Sequence, residues 1–146
     1  MKSDFIWMDG KFVPYEQATV HLINPTIHYG IGVFEGIRCY ATDQGPAIFR
    51  LRDHLIRFLE SIHILGIRDF PYSLDALEKA VGETVLINGF NECYIRPLMY
   101  MEGPMGLNMV GAKSGYSRLG MGSIPRYRGE RNWHSYDGII VHSPAS

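Results

Sequence analysis

The chain has 146 residues, of which 46% are hydrophobic and 20% are charged, and these are ordinary values for one globular domain. A formal net charge of −1 gives no electrostatic reason to expect nucleic acid as a partner. No run of the sequence approaches the roughly 18 apolar residues of a membrane-spanning helix, and the amino terminus lacks the apolar core of a signal peptide, so we expect a cytoplasmic protein without a membrane partner.

The first predicted element is a β-hairpin. Residues 5–13, FIWMDGKFV, contain two short apolar runs around the Asp9-Gly10 pair. Such a pair accepts positive φ angles in a tight turn at low cost. We therefore expect a sheet to begin close to the amino terminus.

A longer strand is predicted from Val33 to Tyr40, inside the stretch HYGIGVFEGIRCY (28–40). Glycine weakens a strand unless something must approach the backbone closely, and this stretch holds three glycines. Alternation would put two sets of side chains on opposite faces. One face would carry Val33, Glu35, Ile37 and Cys39, and the other Phe34, Gly36, Arg38 and Tyr40. The segment DQGPAIF (43–49) then predicts a turn and a short return strand.

Two amphipathic helices are predicted next. The first is predicted by apolar residues that recur at three- and four-residue steps, namely Leu51, Leu55, Phe58, Ile62 and Leu65. Gly66 predicts the end of this helix. The second helix is predicted to begin after Ser73 as N-cap and to end at Asn88-Gly89. Its apolar stripe is Leu74, Leu77, Val81 and Val85.

The segment ECYIRPLMYM (92–101) predicts a further strand, on which Tyr94, Arg96 and Leu98 share a face. The order is therefore strands, two helices and a strand. This order predicts an α+β domain with a mainly antiparallel sheet and two helices packed on one side.

Four side chains on these elements are candidates for binding or for acid–base chemistry. Arg57 on the first helix is either a solvated cation or a phosphate ligand, and most helix arginines face water. Tyr94 and Arg96 project a phenol and a guanidinium in the same direction, which is the chemistry of a carboxylate clamp. Glu35 could act as an acid or base, although no second carboxylate is paired with it in sequence. These residues alone leave open a non-catalytic module that binds anions or a partner protein through a face formed by Arg57 and Arg96.

Other motifs predict no chemistry. His28, His54 and His63 share no metal-ligand spacing, so we expect no metal site. Cys39 and Cys93 lack the CxxC pattern and are interpreted as reduced, packed thiols. The segment GIGVFEG leads into a strand instead of opening a helix, which argues against a Rossmann or Walker loop.

Taken together, HYGIGVFEGIRCY (28–40), FRLRDHLIRFLES (49–61) and CYIRPLMY (93–100) closely resemble the N-terminal domain of branched-chain amino acid aminotransferases. These are pyridoxal-phosphate enzymes of fold type IV. The resemblance runs from about Phe5 to Asn108 and includes YEQATVHLINPTIHYG and EGPMGLN. It implies an N-terminal domain over residues 1–113, and a homodimer or higher homo-oligomer when the protein is full length. D-amino acid aminotransferases and aminodeoxychorismate lyases belong to the same family and stay open as alternatives.

The resemblance also implies roles for individual residues. Arg57 would hold the phosphate of pyridoxal 5′-phosphate. Five further residues would form the substrate site: Tyr29, Phe34, Arg38, Tyr94 and Arg96. Among these, Phe34 would wall the side-chain pocket, Arg96 would take the distal carboxylate of glutamate, and Tyr29 would reach into the neighbouring subunit's site. The implied activity transfers the amino group of L-leucine, L-isoleucine or L-valine to 2-oxoglutarate.

The sequence departs from the family pattern at the catalytic lysine. In the family this lysine lies in a second domain, and the four lysines of this chain, Lys2, Lys11, Lys79 and Lys113, lie outside its motif. We therefore expect no catalytic residue in this chain, and an inactive N-terminal fragment if the polypeptide ends here.

Residues 114–146 form a segment unlike the rest of the chain. They hold four arginines against two acidic residues and show neither helical nor strand periodicity over a useful length. If GMGSIPR were encoded GGA-ATG-GGG-AGC-ATA-CCT-AGG, reading one base later would give EWGAYL, which is similar to the family's next strand and turn. We expect this segment to be a frameshifted, poorly ordered tail outside the family pattern.

Overall fold

The computed structural model describes residues 3–68, 70–103, 105, 117–125 and 138–140. The strands of this part of the chain are β1 (Phe5–Met8), β2 (Lys11–Pro14), β3 (Gly32–Phe34), β4 (Ile37–Thr42), β5 (Gly45–Phe49), β6 (Cys93–Met101), β7 (Ser117–Pro125) and β8 (Gly138–Ile140). They form one sheet in the spatial order β2-β1-β7-β6-β4-β5-β8, with β3 beside β6. Each described pairing is antiparallel. The α+β fold class is therefore confirmed.

The predicted hairpin is present as β1 and β2. Phe5 lies opposite Pro14 and Met8 lies opposite Lys11. Asp9 and Gly10 both have positive φ, at 49° and 92°, as a two-residue turn that matches the twist of the strands requires.

The predicted strand from Val33 to Tyr40 is observed as β3 and β4, which share one register along β6. Pro97 explains the interruption. The Glu35 N–H donates to the Pro97 carbonyl at 3.1 Å, but proline has no N–H with which to return the bond. The ladder is therefore broken at Glu35-Gly36, while the alternation of faces continues across the break.

The helices of the described chain are α1 (Pro25–Tyr29), α2 (Leu51–Ile64) and α3 (Leu74–Ile87), with a turn of 3-10 helix at Tyr15–Gln17. The two long helices are those predicted. The Ser73 hydroxyl accepts from the Ala76 N–H at 3.2 Å at the start of α3, and Gly66 and Gly89 have positive φ just beyond the two helix ends.

The short helix α1 was not among the predicted elements, although its sequence carries the usual signals. The Asn24 side chain accepts from the Thr26 N–H at 2.8 Å, and Pro25 occupies the first helical position. Gly30 ends the helix at a φ of 69°. An N-cap, a proline and a C-terminal glycine at this spacing specify one short helix.

The hydrophobic core lies between the sheet and α2 with α3. Both helices contribute fully buried side chains to one cluster with the core-facing strand residues. Val33, Glu35, Ile37 and Cys39 are all buried, and Phe34 and Arg38 are exposed. The predicted assignment of the two strand faces is therefore confirmed.

Part of the segment expected to be poorly ordered is an ordered strand in this structure. β7 (Ser117–Pro125) pairs with β6 along its whole length and with β1 near its centre. Leu119 and Met121 are fully buried. The sequence does not show a clear alternation of apolar and polar residues here, because Gly120 and Gly122 occupy the positions that face away from the core. The rest of 114–146, apart from β8, lies outside the described residues, and the frameshift stays a prediction.

Within the described residues, none of the helices combines the length and the apolar character needed to cross a membrane.

Candidate active site

The open face of the sheet, opposite the two long helices, brings together Phe34, Tyr94 and Arg96. The Arg96 Nη2 donates to the Tyr94 hydroxyl at 2.8 Å. The Arg96 guanidinium carbon lies 4.4 Å from the centre of the Phe34 ring and 5.2 Å from that of Tyr94. A cation held between two aromatic faces gains electrostatic stabilisation. The predicted juxtaposition of a phenol, a guanidinium and an aromatic wall is therefore present.

Gly36 is required by the position of Tyr94. A Cβ atom built at Gly36 would overlap the Tyr94 hydroxyl oxygen and lie 3.0 Å from its Cζ. The phenol therefore rests directly on the strand backbone, and only glycine leaves that space. This close approach explains one of the three glycines that are unusual in the strand pattern.

The remaining predicted substrate residues are Arg38 and Tyr29. Arg38 is exposed, and its Cα lies opposite that of Tyr94 in the β4–β6 pairing. Tyr29 is the last residue of α1, and its side chain is exposed at 42%.

The structure places Arg57 on the other side of the sheet. Glu35 stands between Phe34 and Gly36 in the chain, so its side chain turns toward the helices, where the Arg57 Nε and Nη2 donate to its two oxygens at 2.5 and 2.7 Å. The side chain of Glu35 is only 7% exposed, whereas that of Arg57 is 64% exposed. Arg57 contacts Glu35 on the helix side of the sheet, and Arg96 contacts the neighbouring residue Phe34 on the open side.

Hydrogen bonds from Arg57 lower the pKa of Glu35 from its ordinary value of 4.5 to about 2. Burial opposes this shift, while the His54 side chain and the Gly36 N–H lower the pKa further. The hydrogen bond to Glu35 in turn raises the pKa of Arg57. The carboxylate is therefore ionised in the folded protein at neutral pH.

The depressed pKa of Glu35 predicts a pH-dependent contribution to stability. A group whose pKa is lower in the folded state stabilises the fold above its unfolded pKa, and this contribution is lost as the pH falls through the folded pKa. The difference in free energy of unfolding between the native chain and Glu35→Gln should therefore shrink between about pH 5 and about pH 2. Urea unfolding of both proteins at a series of pH values measures this difference in free energy. Asp53→Asn, which removes an exposed pair with Arg50, serves as control and should show little pH dependence. A difference for Glu35→Gln that is constant over this range would contradict the prediction.

A cavity of about 420 Å³ opens beside Arg96 on the same sheet face. This volume is within the usual range for small-molecule sites, roughly 300 to 1,000 Å³. Its lining is mainly apolar and includes Ile6, Val20, Ile27, Leu98 and Tyr100. The site therefore combines an apolar space with one guanidinium.

Sequence reasoning named Glu35 and His54 separately but did not bring either to Arg57. His54 and Arg57 are three residues apart on α2, a spacing that puts them on one helix side. The His54 Nδ1 lies 3.0 Å from a Glu35 carboxylate oxygen. No sequence signal identifies Glu35 as their common partner, because that contact depends on how the helix docks on the sheet.

Comparison with known proteins identifies the family. The family model described as amino-transferase class IV matches residues 32–115. The chain is 46% identical over 114 residues to the branched-chain-amino-acid aminotransferase of Pseudomonas aeruginosa, a match that covers 77% of this chain and 36% of that protein. The chain thus spans about a third of the length of the curated relatives it matches.

Solved structures agree with this result. One similar structure is the branched-chain aminotransferase of the archaeon Thermoproteus uzoniensis with norvaline, with a TM-score of 0.77 and 42% identity, covering 84% of this chain and 41% of that one. Another is the T.th. branched-chain amino acid aminotransferase complexed with N-(5′-phosphopyridoxyl)-L-glutamate, with a TM-score of 0.78 and 40% identity, covering 86% and 42%. With a family match over more than half of its length, this chain belongs to the class IV aminotransferases, a family that depends on pyridoxal phosphate.

Proposed function

We propose that this chain is the N-terminal part of a branched-chain amino acid transaminase, which moves the amino group of L-leucine, L-isoleucine or L-valine to 2-oxoglutarate. The observation that carries the proposal is the arrangement of Arg96 against Phe34 and Tyr94 beside an apolar cavity. Relatives that share this part of the chain are named for the same activity.

The transamination requires one pocket to accept two unlike side chains. A buried carboxylate needs a charged or hydrogen-bonding partner, whereas a leucine side chain needs none. Arg96 supplies the partner, and its Nε is buried without a hydrogen-bond acceptor among the described residues. The Phe34 ring and the cavity supply the apolar surface. Similar enzymes are described with norvaline and with a phosphopyridoxyl glutamate, which are ligands of these two kinds.

The residues present fit a phosphate-bearing cofactor at Arg57. Glu35 engages the Nε–Nη2 edge of the guanidinium, and His54 Nδ1 lies 3.2 Å from Nη2. The contacts of the described residues leave the Nη1 donors, which suit an oxygen of a phosphate monoester. Pyridoxal phosphate, when bound, supplies the electron sink for amino-group transfer. Tyr94 and Arg96 would orient substrate.

The remaining parts of the proposal concern the longer protein. The catalytic lysine would come from a second domain, so we expect the polypeptide of 146 residues to show no turnover by itself. Tyr29, exposed at the end of α1, would contribute to a neighbouring subunit in a homo-oligomer. Residues 114–146 would be out of frame, and the nucleotide sequence across Lys113 tests this directly.

The test of the function is Arg96→Met in the full-length enzyme obtained by reading the corrected gene beyond Ser146. We expect kcat/KM for 2-oxoglutarate to fall about 10- to 100-fold, because a carboxylate loses a charged hydrogen-bond donor. The value for L-leucine should change less than about 3-fold, since its side chain needs no such partner. Arg52→Met, on the exposed side of α2, is the matched control and should leave both values unchanged.

Two results would reject the proposal. Equal losses for both substrates would show that Arg96 does not discriminate between them. A repaired enzyme that acts on D-alanine but not on L-leucine would instead assign the protein to the D-amino acid aminotransferase branch of the family.

A further inference from the structure

The Glu35 carboxylate is held from several directions. Arg57 donates from Nε and Nη2 at 2.5 and 2.7 Å, His54 lies at 3.0 Å through Nδ1, and the Gly36 N–H donates at 3.3 Å. The side chains of Glu35 and His54 are 7% and 19% exposed. The acceptor end of this cluster is therefore fixed in the packed sheet, and only the arginine extends to solvent.

The arginine pairs at the start of α2 are different. Arg50 meets Asp53 at 2.7 Å with both side chains more than half exposed, and an exposed pair of this kind restricts a side chain little and contributes little to stability. Arg52 meets Glu78, which is 20% exposed, through Nη1 alone at 2.9 Å. The Arg57–Glu35 contact is unusual because a buried, two-point acceptor fixes the plane of the guanidinium.

Arg57 Nη2 also lies 3.2 Å from His54 Nδ1, so Nη1 is the donor that these contacts leave available. We propose that Glu35 is a positioning residue, whose buried carboxylate holds the Nε–Nη2 edge of Arg57 so that Nη1 is presented to a phosphate monoester. This inference rests on the proposed function, because it takes Arg57 as the phosphate ligand. Without Glu35, a guanidinium on an exposed, flexible side chain would have to be ordered by the phosphate itself, at a cost in binding free energy.

Glu35 could affect phosphate binding either by orienting Arg57 or through its own charge, and the two roles predict opposite effects of substituting Glu35. Its negative charge repels a phosphate dianion, so an effect of charge alone makes Glu35→Gln bind phosphate more tightly and leaves Glu35→Asp unchanged. An orienting role makes both variants bind more weakly, since glutamine loses the charged two-point acceptor and aspartate is too short to keep the contact. The two substitutions together separate the alternatives.

The experiment is a titration of the 146-residue chain with inorganic phosphate, followed by NMR at the Arg57 Nε–H. In the native chain we expect this signal to shift on titration, and we expect Glu35→Asp and Glu35→Gln to weaken binding about 3- to 10-fold. Both variants should also broaden the Arg57 signal before phosphate is added, because the side chain is less ordered. Asp53→Asn is the matched control and should bind as the native chain does.

The outcomes distinguish the inference from the function on which it rests. Tighter binding by Glu35→Gln with unchanged Glu35→Asp would overturn positioning and leave the phosphate site intact. An Arg57 signal that phosphate does not shift in the native chain would overturn both positioning and the assignment of Arg57 as phosphate ligand, while the transaminase function is tested separately by Arg96→Met in the full-length enzyme. If Glu35→Gln fails to fold by circular dichroism, Glu35→Asp decides alone: weaker binding supports positioning and unchanged binding overturns it.

Discussion

Replacing Ile62 with alanine should lower the free energy of unfolding by about 2 to 5 kcal/mol. Ile62 is 1% exposed and belongs to the core cluster between α2 and the sheet. The substitution removes buried methyl and methylene groups and leaves a cavity that the surrounding side chains fill only in part. Urea denaturation followed by far-UV circular dichroism measures the change.

The helix supplies its own control for this prediction. Ile64 is the same residue type, two positions further along α2, and is 82% exposed. Ile64→Ala should change the free energy of unfolding by no more than about 0.5 kcal/mol, because an exposed site on a helix has no packing to lose. Similar losses at Ile62 and Ile64 would contradict the docking of α2 described above.

Replacing Gly36 with alanine should destabilise the fold by about 1 to 3 kcal/mol and displace Tyr94. The added Cβ would overlap the Tyr94 hydroxyl, so the phenol has to leave its place on the strand. Its hydrogen bond from Arg96 would be lost with it. Thermal unfolding measures the loss of stability. The displacement of Tyr94 is measured as the change in near-ultraviolet circular dichroism on Gly36→Ala that is absent in the Tyr94→Phe background.

A second substitution tests whether Tyr94 is the cause. Tyr94→Phe removes the oxygen that the new Cβ would meet, so the loss caused by Gly36→Ala should be smaller in the Tyr94→Phe background. Gly120→Ala on β7 is the control, because a Cβ there has nothing within 4 Å. Equal losses from Gly36→Ala in both backgrounds would show that the strain comes from the backbone and not from the phenol.

Local patterns predicted much of the fold. The turn pair Asp9-Gly10, the cap residue Ser73 and the apolar spacing of α2 and α3 each act within a few residues of chain, so their consequences are readable in sequence. The alternation of Val33 to Tyr40 identified the buried and open faces, and on the open face the common direction of Tyr94 and Arg96 was also predicted from alternation.

Glycine and proline hid two features of the sheet from the sequence pattern. The glycines of β7 mask a strand alternation whose core positions are Leu119 and Met121. Pro97 divides one predicted strand into β3 and β4 by removing a single ladder donor. The break between β3 and β4 follows from the neighbouring strand, which is distant in sequence.

By itself, the sequence determined the fold class, the two long helices, the polarity of the faces of β3 and β4, and the residue types at the candidate site. Tertiary structure decided which of these residues meet: Arg57 with Glu35 behind the sheet, and Arg96 between Phe34 and Tyr94 in front of it. The physical reason is that periodicity fixes only the direction of a side chain relative to its own element. The contact itself depends on strand register and on helix docking, which the packing of the whole core determines.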